Sequence, residues 1–102
     1  MKYEITDDEK GPTLILKNQM TFSDREVFDS IIDKLLARNR RRISVDLHGL
    51  EYMDSAGLGM LLTLRDRAER CGAEVVLRRP QSEVRELLVL ACFETLFTIE
   101  YA

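Results

Sequence analysis

One histidine and two cysteines in 102 residues leave little material for catalysis or metal binding. With His48 as the only imidazole, neither a histidine-based triad nor a multi-histidine metal site can be assembled. Cys71 and Cys92 lack metal-ligand spacing and read as small apolar fillers in a protein whose thiols stay reduced. No lysine follows Lys34, which excludes the late lysine required beside the phospho-aspartate of a receiver domain. Gly57-Leu58-Gly59 opens like a dinucleotide fingerprint, but Leu62 occupies the third glycine position and no phosphate-binding lysine follows. There is no apolar run long enough to cross a membrane and no signal-peptide pattern, so the expectation is a cytoplasmic protein without direct membrane insertion. Internal repeats and low-complexity segments are absent too. These absences leave no histidine triad, metal site or phosphate cradle to assemble, and no metal or other cofactor is expected.

What is present is ordinary for a soluble globular domain: 45% apolar and 32% charged residues, with a formal net charge of −3. The acidic balance argues against nonspecific nucleic-acid binding, in which a basic surface supplies most of the affinity. A chain of this length buries roughly 60–70% of its unfolded surface, enough for one domain over residues 1–102 with little room for a cleft. A monomer is expected.

Taken in order, Tyr3 and Ile5 alternate with charged residues, Asp7 to Pro12 supplies turn chemistry, and Leu14-Ile15-Leu16 follows, predicting a hairpin. Ser23 with Glu26 has the spacing of a capping box, and Phe22 with Val27 that of a hydrophobic staple, so a helix is expected to start near Asp24. Val27, Phe28, Ile31, Ile32, Leu35 and Leu36 form its apolar stripe. The basic run Arg38 to Arg42 has its simplest use at the helix C-terminus, where cations are favoured by the macrodipole.

Ile43, Val45 and Leu47 then alternate as a strand, a polar loop is expected, and a helix runs from about Ser55 to Cys71, closed by Gly72 as the C′ residue. Ala73 to Leu77 reads as a buried strand, Val84, Leu87, Leu88 and Ala91 as a short amphipathic helix, and Phe97, Ile99 and Tyr101 as a closing strand. This order predicts an α/β domain with a mostly parallel mixed sheet, an N-terminal β-hairpin and crossover helices.

The stretch joining the best strand to the best helix is Val45 to Gly59. Asp54 and Ser55 both qualify as helix N-caps, while Gly57 and Gly59 leave the first turn open to close approach. Asp46 is expected as a strand-end carboxylate bonded to loop backbone, His48 as a loop residue, and Tyr52 and Met53 as packing under the loop. In a parallel sheet, loops beyond the carboxyl ends of strands commonly carry function, and Ser55 follows such an end.

Met53-Asp54-Ser55-Ala56-Gly57-Leu58-Gly59 resembles the phospho-acceptor segment of the STAS domain in bacterial anti-sigma factor antagonists, and the order of elements fits over essentially the whole chain. The resemblance implies a STAS-like fold and phosphorylation at Ser55. It further implies a partner surface at Asp54, Ala56, Gly57, Leu58 and Gly59, with Asp46 as an acidic support close to the motif; Met60, the next residue, reads as partner-facing or core. In that family the partner is an anti-sigma factor that is also a serine kinase of the histidine-kinase-like ATPase fold, and a PP2C-type phosphatase removes the phosphate. The unphosphorylated antagonist captures the anti-sigma factor and frees the sigma factor. The same domain also serves lipid-transport ABC systems as an accessory subunit bound constitutively to the ATPase. Two departures stand out. Lys17-Asn18-Gln19-Met20-Thr21 replaces the family's Gly-acidic-Leu-Asp-like turn, and the sequence stops at Ala102, where longer members continue into a further helix.

Overall fold

A computed structural model describes residues 1–102. Strands β1 (Lys2–Asp7) and β2 (Pro12–Met20) form the expected antiparallel hairpin. A 3₁₀ turn (Phe22–Asp24) leads into α1 (Arg25–Leu36), followed by β3 (Arg42–Met53), α2 (Ser55–Arg70), β4 (Glu74–Arg78), α3 (Ser82–Leu90), a second 3₁₀ turn (Phe93–Thr95) and β5 (Thr98–Glu100). The five strands lie in the order β1-β2-β3-β4-β5, and every pair after the first is parallel. This is the mixed sheet that alternating strands and helices predict.

Leu14 and Leu16 of β2, Ile43, Val45 and Leu47 of β3, and Val75 and Leu77 of β4 project to one face, where they meet Phe28, Ile31, Ile32, Leu61, Leu64, Val84 and Leu88 from the three helices. All three helices feed a single core cluster. Burying a large aliphatic side chain of this kind stabilises the fold by about 1.5–3 kcal/mol. The opposite face is laced by charge, with Glu100 accepting from Arg42 at 3.0 Å and lying 3.3 Å from Arg78.

The principal correction concerns β3, which runs to Met53 instead of giving way to a loop after Leu47. Two irregularities in its pairing with β2 explain why. Leu47 and His48 stand against Leu16 alone, and Glu51 is inserted between the pairs Asn18↔Leu50 and Gln19↔Tyr52. Bulges of this sort interrupt period two. The buried positions accordingly become Leu47, Leu50 and Met53, three apart, which no simple strand pattern would flag. Asn18 takes φ +70° at the second bulge, a left-handed conformation that asparagine tolerates well. Lys17 to Met20 is therefore strand rather than turn, and His48 sits in a strand.

The start of α1 differs in detail as well. The carboxylate of Asp24 accepts the Thr21 N–H at 2.8 Å, so the box is built on Thr21 and Asp24, with Ser23 occupied by a 2.9 Å hydroxyl contact to Thr21. Phe22 and Val27 are both exposed and form no buried staple. Cys71 and Cys92 are exposed rather than core fillers. Helix α2 ends as predicted: Gly72 has φ +75° and donates to Glu69 O at 3.0 Å, while Ala73 donates to Ala68 O at 2.8 Å, the two bonds of a Schellman motif.

Glycines 11 and 72 both have positive φ, but only Gly11, at φ +144°, is also pressed against backbone, since a Cβ there would overlap the Arg42 carbonyl oxygen. Gly72→Ala, with open space around it, should cost about 1 kcal/mol from conformation alone. Gly11→Ala should cost roughly 2–4 kcal/mol, because steric displacement adds to backbone strain. Urea denaturation of both variants checks this. Equal midpoints would contradict the close approach of the hairpin turn to β3.

Candidate functional site

The end of β3 delivers its next residues to a junction of three elements. Met53 pairs with Met20 at the end of β2, and the Asp54 N–H donates to Met20 O at 3.3 Å, which closes the sheet at this point. Asp54 then turns the chain with extended backbone (φ −93°, ψ −178°) and caps α2, its Oδ1 accepting the Gly57 N–H at 3.0 Å. Its other oxygen, Oδ2, accepts the Phe22 N–H at 3.1 Å. One carboxylate thus ties the start of α2 to the turn before α1.

Because Asp54 is the cap, Ser55 is not. Ser55 is the first residue of α2, exposed, and its hydroxyl makes no hydrogen bond to the chain. Of the two cap candidates in the sequence the structure selects the aspartate, which leaves the serine hydroxyl free at the positive end of a helix dipole. Ala56 and Leu58 are half-buried, and Gly59 is exposed with no atom within 4 Å of where a Cβ would lie.

Two residues expected at the surface face inward. Met60 is only 3% exposed and belongs to the core, because positions 57, 60, 61 and 64 share the sheet-facing side of α2. Gly57 is buried too: a Cβ there would overlap the Met53 side chain and approach Met20 O to 3.2 Å. Gly57 is needed for packing and Gly59 for openness. The sequence missed Phe22, whose ring is 70% exposed beside Asp54, and Tyr52, expected under the loop, is 45% exposed.

Asp46 does not join this site. Its β2 neighbour is Ile15, five strand steps before Met20, which places it roughly 17 Å from the motif. There Asp46 Oδ2 accepts from Arg79 at 2.6 Å and Oδ1 from the His48 N–H at 3.0 Å, and the His48 ring meets Gln81 at 2.7 Å. Arg79 reaches this position through a left-handed backbone, φ +55°, with its N–H on Glu100 O at 2.6 Å. The group braces the β4 to α3 connection against β3. Burial works to raise the Asp46 pKa, but the Arg79 hydrogen bond, the His48 N–H and the charges of Arg79 and Arg78 together hold it below the ordinary carboxylate value.

The chain brings together no cluster of three or more metal-ligating side chains, and none of its helices is long and apolar enough to cross a membrane. A hollow lined by Asp8, Arg42, Arg78 and Glu100 has no apolar wall, unlike a typical small-molecule pocket.

Two expectations follow. Asp54→Ala should lose about 1–2 kcal/mol of unfolding free energy through the lost cap, whereas Ser55→Ala should stay within about 0.5 kcal/mol of wild type; chemical denaturation separates them, and the reverse order would refute the assignment of the cap. A depressed folded-state pKa means that ionised Asp46 contributes stability above its unfolded pKa, lost as pH falls through the lower folded value. The stability gap between wild type and Asp46→Asn should therefore be full at pH 6–7, near neutrality, and shrink as the pH is taken below about 4. A gap that does not change with pH would contradict the ion pair.

Comparison with known proteins agrees with this architecture. A family model described as "Mlab, STAS domain" matches residues 4–98. A STAS-domain containing protein of Pseudomonas aeruginosa is 36% identical over 87 residues, covering 85% of each chain. Among solved structures, a candidate anti-sigma factor antagonist of Thermotoga maritima superposes with a TM-score of 0.85 at 19% identity, over 96% of this chain and 85% of the other. The anti-sigma factor antagonist SpoIIAA, solved in its unphosphorylated form, gives 0.76 at 16% over 99% and 89% of the two chains. The phosphorylated form of SpoIIAA from Bacillus gives 0.73 at 15% over 96% and 90%. With a family model covering nearly the whole chain and a sequence relative above 30% identity, the chain belongs to the STAS-domain family.

Proposed function

We propose that this STAS domain is an anti-sigma factor antagonist that works by partner switching. In its unphosphorylated form it binds an anti-sigma factor with serine-kinase activity, of the histidine-kinase-like ATPase fold, and so releases the sigma factor or another regulated partner. Phosphorylation of Ser55 ends the binding, and a PP2C-type phosphatase restores it. The domain is substrate and ligand, not catalyst, and acts in the cytoplasm as a monomer.

The observation that carries this reading is the division of labour between Asp54 and Ser55. A capping serine would be needed by the fold, and modifying it would weaken α2; here Asp54 caps, and the exposed Ser55 hydroxyl is available to a kinase. A phosphoryl group adds about −1.5 to −2 charges. At the first residue of α2 it is tolerated by the helix dipole and the unpaired first-turn N–H groups, so the domain stays folded. A partner seated on Ser55, Ala56, Leu58 and Gly59 would have to bury that dianion, and desolvating it opposes binding. The existence of SpoIIAA in phosphorylated and unphosphorylated forms on a similar fold supports the same reading.

A second reading is favoured by the sequence-level matches, whose descriptions name a STAS domain and MlaB and no sigma factor. In it the domain is the accessory subunit of a lipid-transport ABC system and holds its ATPase constitutively. Affinity capture with Ser55→Ala and Ser55→Asp forms, with retained proteins identified by mass spectrometry, distinguishes the two. The switch requires a kinase-fold partner held by the alanine form and lost at least 10-fold by the aspartate form, about 1.4 kcal/mol. Equal retention of a transporter ATPase by both forms would establish the second reading instead.

A further inference from the structure

Phe22 is 70% exposed, yet its backbone is tied into hydrogen bonds. Its own N–H is held by Asp54, and the residues on either side are closed into a turn by Thr21 N–H to Asp24 at 2.8 Å and Asp24 N–H to Thr21 O at 2.9 Å. The backbone that presents the ring is held by Asp54, the residue before Ser55, and Val27 is exposed on the following turn. Large aromatics that are rigidly displayed rather than buried are the usual anchors of protein interfaces, since little conformational entropy is lost when they dock.

The charge around it is equally uneven. In the two segments that meet here, 21–26 and 51–60, the carboxylates of Asp24, Glu26, Glu51 and Asp54 face the Arg25 guanidinium and the Met1 ammonium, which lies 3.3 Å from Asp24, a net charge of −2. This end of the sheet is therefore acidic. Resting on the switch reading above, we propose that Phe22 is the specificity anchor of the Ser55 surface, inserted into an apolar pocket of a protein partner whose rim carries lysine and arginine.

The anchor is also wired to the switch. A phosphoryl group on Ser55, the residue after Asp54, repels the Asp54 carboxylate and draws it away from the Phe22 N–H while the Gly57 end of the cap is kept. Displacing Asp54 breaks its bond to the Phe22 N–H and shifts the anchor. A basic rim alone would attract the phosphate, so release comes from the lost placement of Phe22 together with desolvation, not from long-range repulsion.

The test places the photocrosslinking residue p-benzoylphenylalanine at Phe22, at Leu58 or at the remote, exposed Leu90 of the full chain in its own cells, in Ser55→Ala and Ser55→Asp backgrounds. The protein crosslinked is then purified and titrated with wild type and Phe22→Ala. The account expects Phe22 and Leu58 to crosslink the same protein in the alanine background and to lose it in the aspartate background, with none from Leu90. It expects Phe22→Ala to bind about 10- to 100-fold more weakly with an unchanged urea midpoint, and wild-type affinity to fall as salt rises. Crosslinking from Leu58 but not Phe22, crosslinking from neither, or wild-type affinity in Phe22→Ala overturns the anchor. Affinity indifferent to salt overturns the basic rim. Equal crosslinking from Phe22 in both backgrounds removes the switch while leaving the anchor in place, so the two failures are told apart.

Discussion

The two hydrogen bonds accepted by the Asp54 carboxylate tie the two helix starts together at the candidate site. Oδ1 accepts the Gly57 N–H in the first turn of α2, which it shares with the Asp54 carbonyl, and Oδ2 reaches across to the Phe22 N–H before α1. With the Asp54 N–H on Met20 O, the carboxylate fixes the start of α2 against the turn before α1. The same carboxylate relieves Ser55 of any structural duty. A residue the fold does not need for capping can change its charge without threatening the fold, which is the physical requirement for a reversible covalent switch.

Much of the scaffold was legible in the sequence because its signals are local. The hairpin turn at Asp7 to Pro12, the stripe of Val27, Phe28, Ile31, Ile32, Leu35 and Leu36, the Gly72 stop and the β4 run each follow from nearest-neighbour chemistry, and the structure has all four except that Val27 is exposed. The second half of β3 was not legible, because its regularity is set by its partner. Two bulges against β2 convert a period of two into the spacing Leu47, Leu50, Met53, and only the pairing register reveals that these residues lie on one strand. The same distance in space separates Asp46 from the motif it was expected to support: a chain that runs straight on for several strand steps was read as a chain that turns.

At the candidate site, the sequence leaves the internal division of the Asp54 to Met60 segment open. Asp54 and Ser55 are equivalent as capping candidates by composition, and geometry alone selects the aspartate. The glycine pair likewise splits: Gly57 lets α2 close on Met53 and Met20, while Gly59 faces open space. Met60 falls to the core through helical phase. The spacing of Phe22 and Val27 predicts a staple, yet the Thr21 and Asp24 box starts the turn two residues earlier than the Ser23 and Glu26 spacing implies, and both apolar side chains are exposed.

These features give one chain of cause, from bulged strand to fixed junction to an unburdened hydroxyl on an acidic, aromatic-flanked surface. Its central claim concerns a single atom, the Ser55 Oγ, and phosphosite mapping of the protein isolated from its native cells tests it most directly. The account predicts phosphate on Ser55 in a fraction that changes with growth condition, and none on Ser23, Ser30, Ser44 or Ser82. A protein whose Ser55 is unmodified in every condition, including those in which its partner is released, would contradict it.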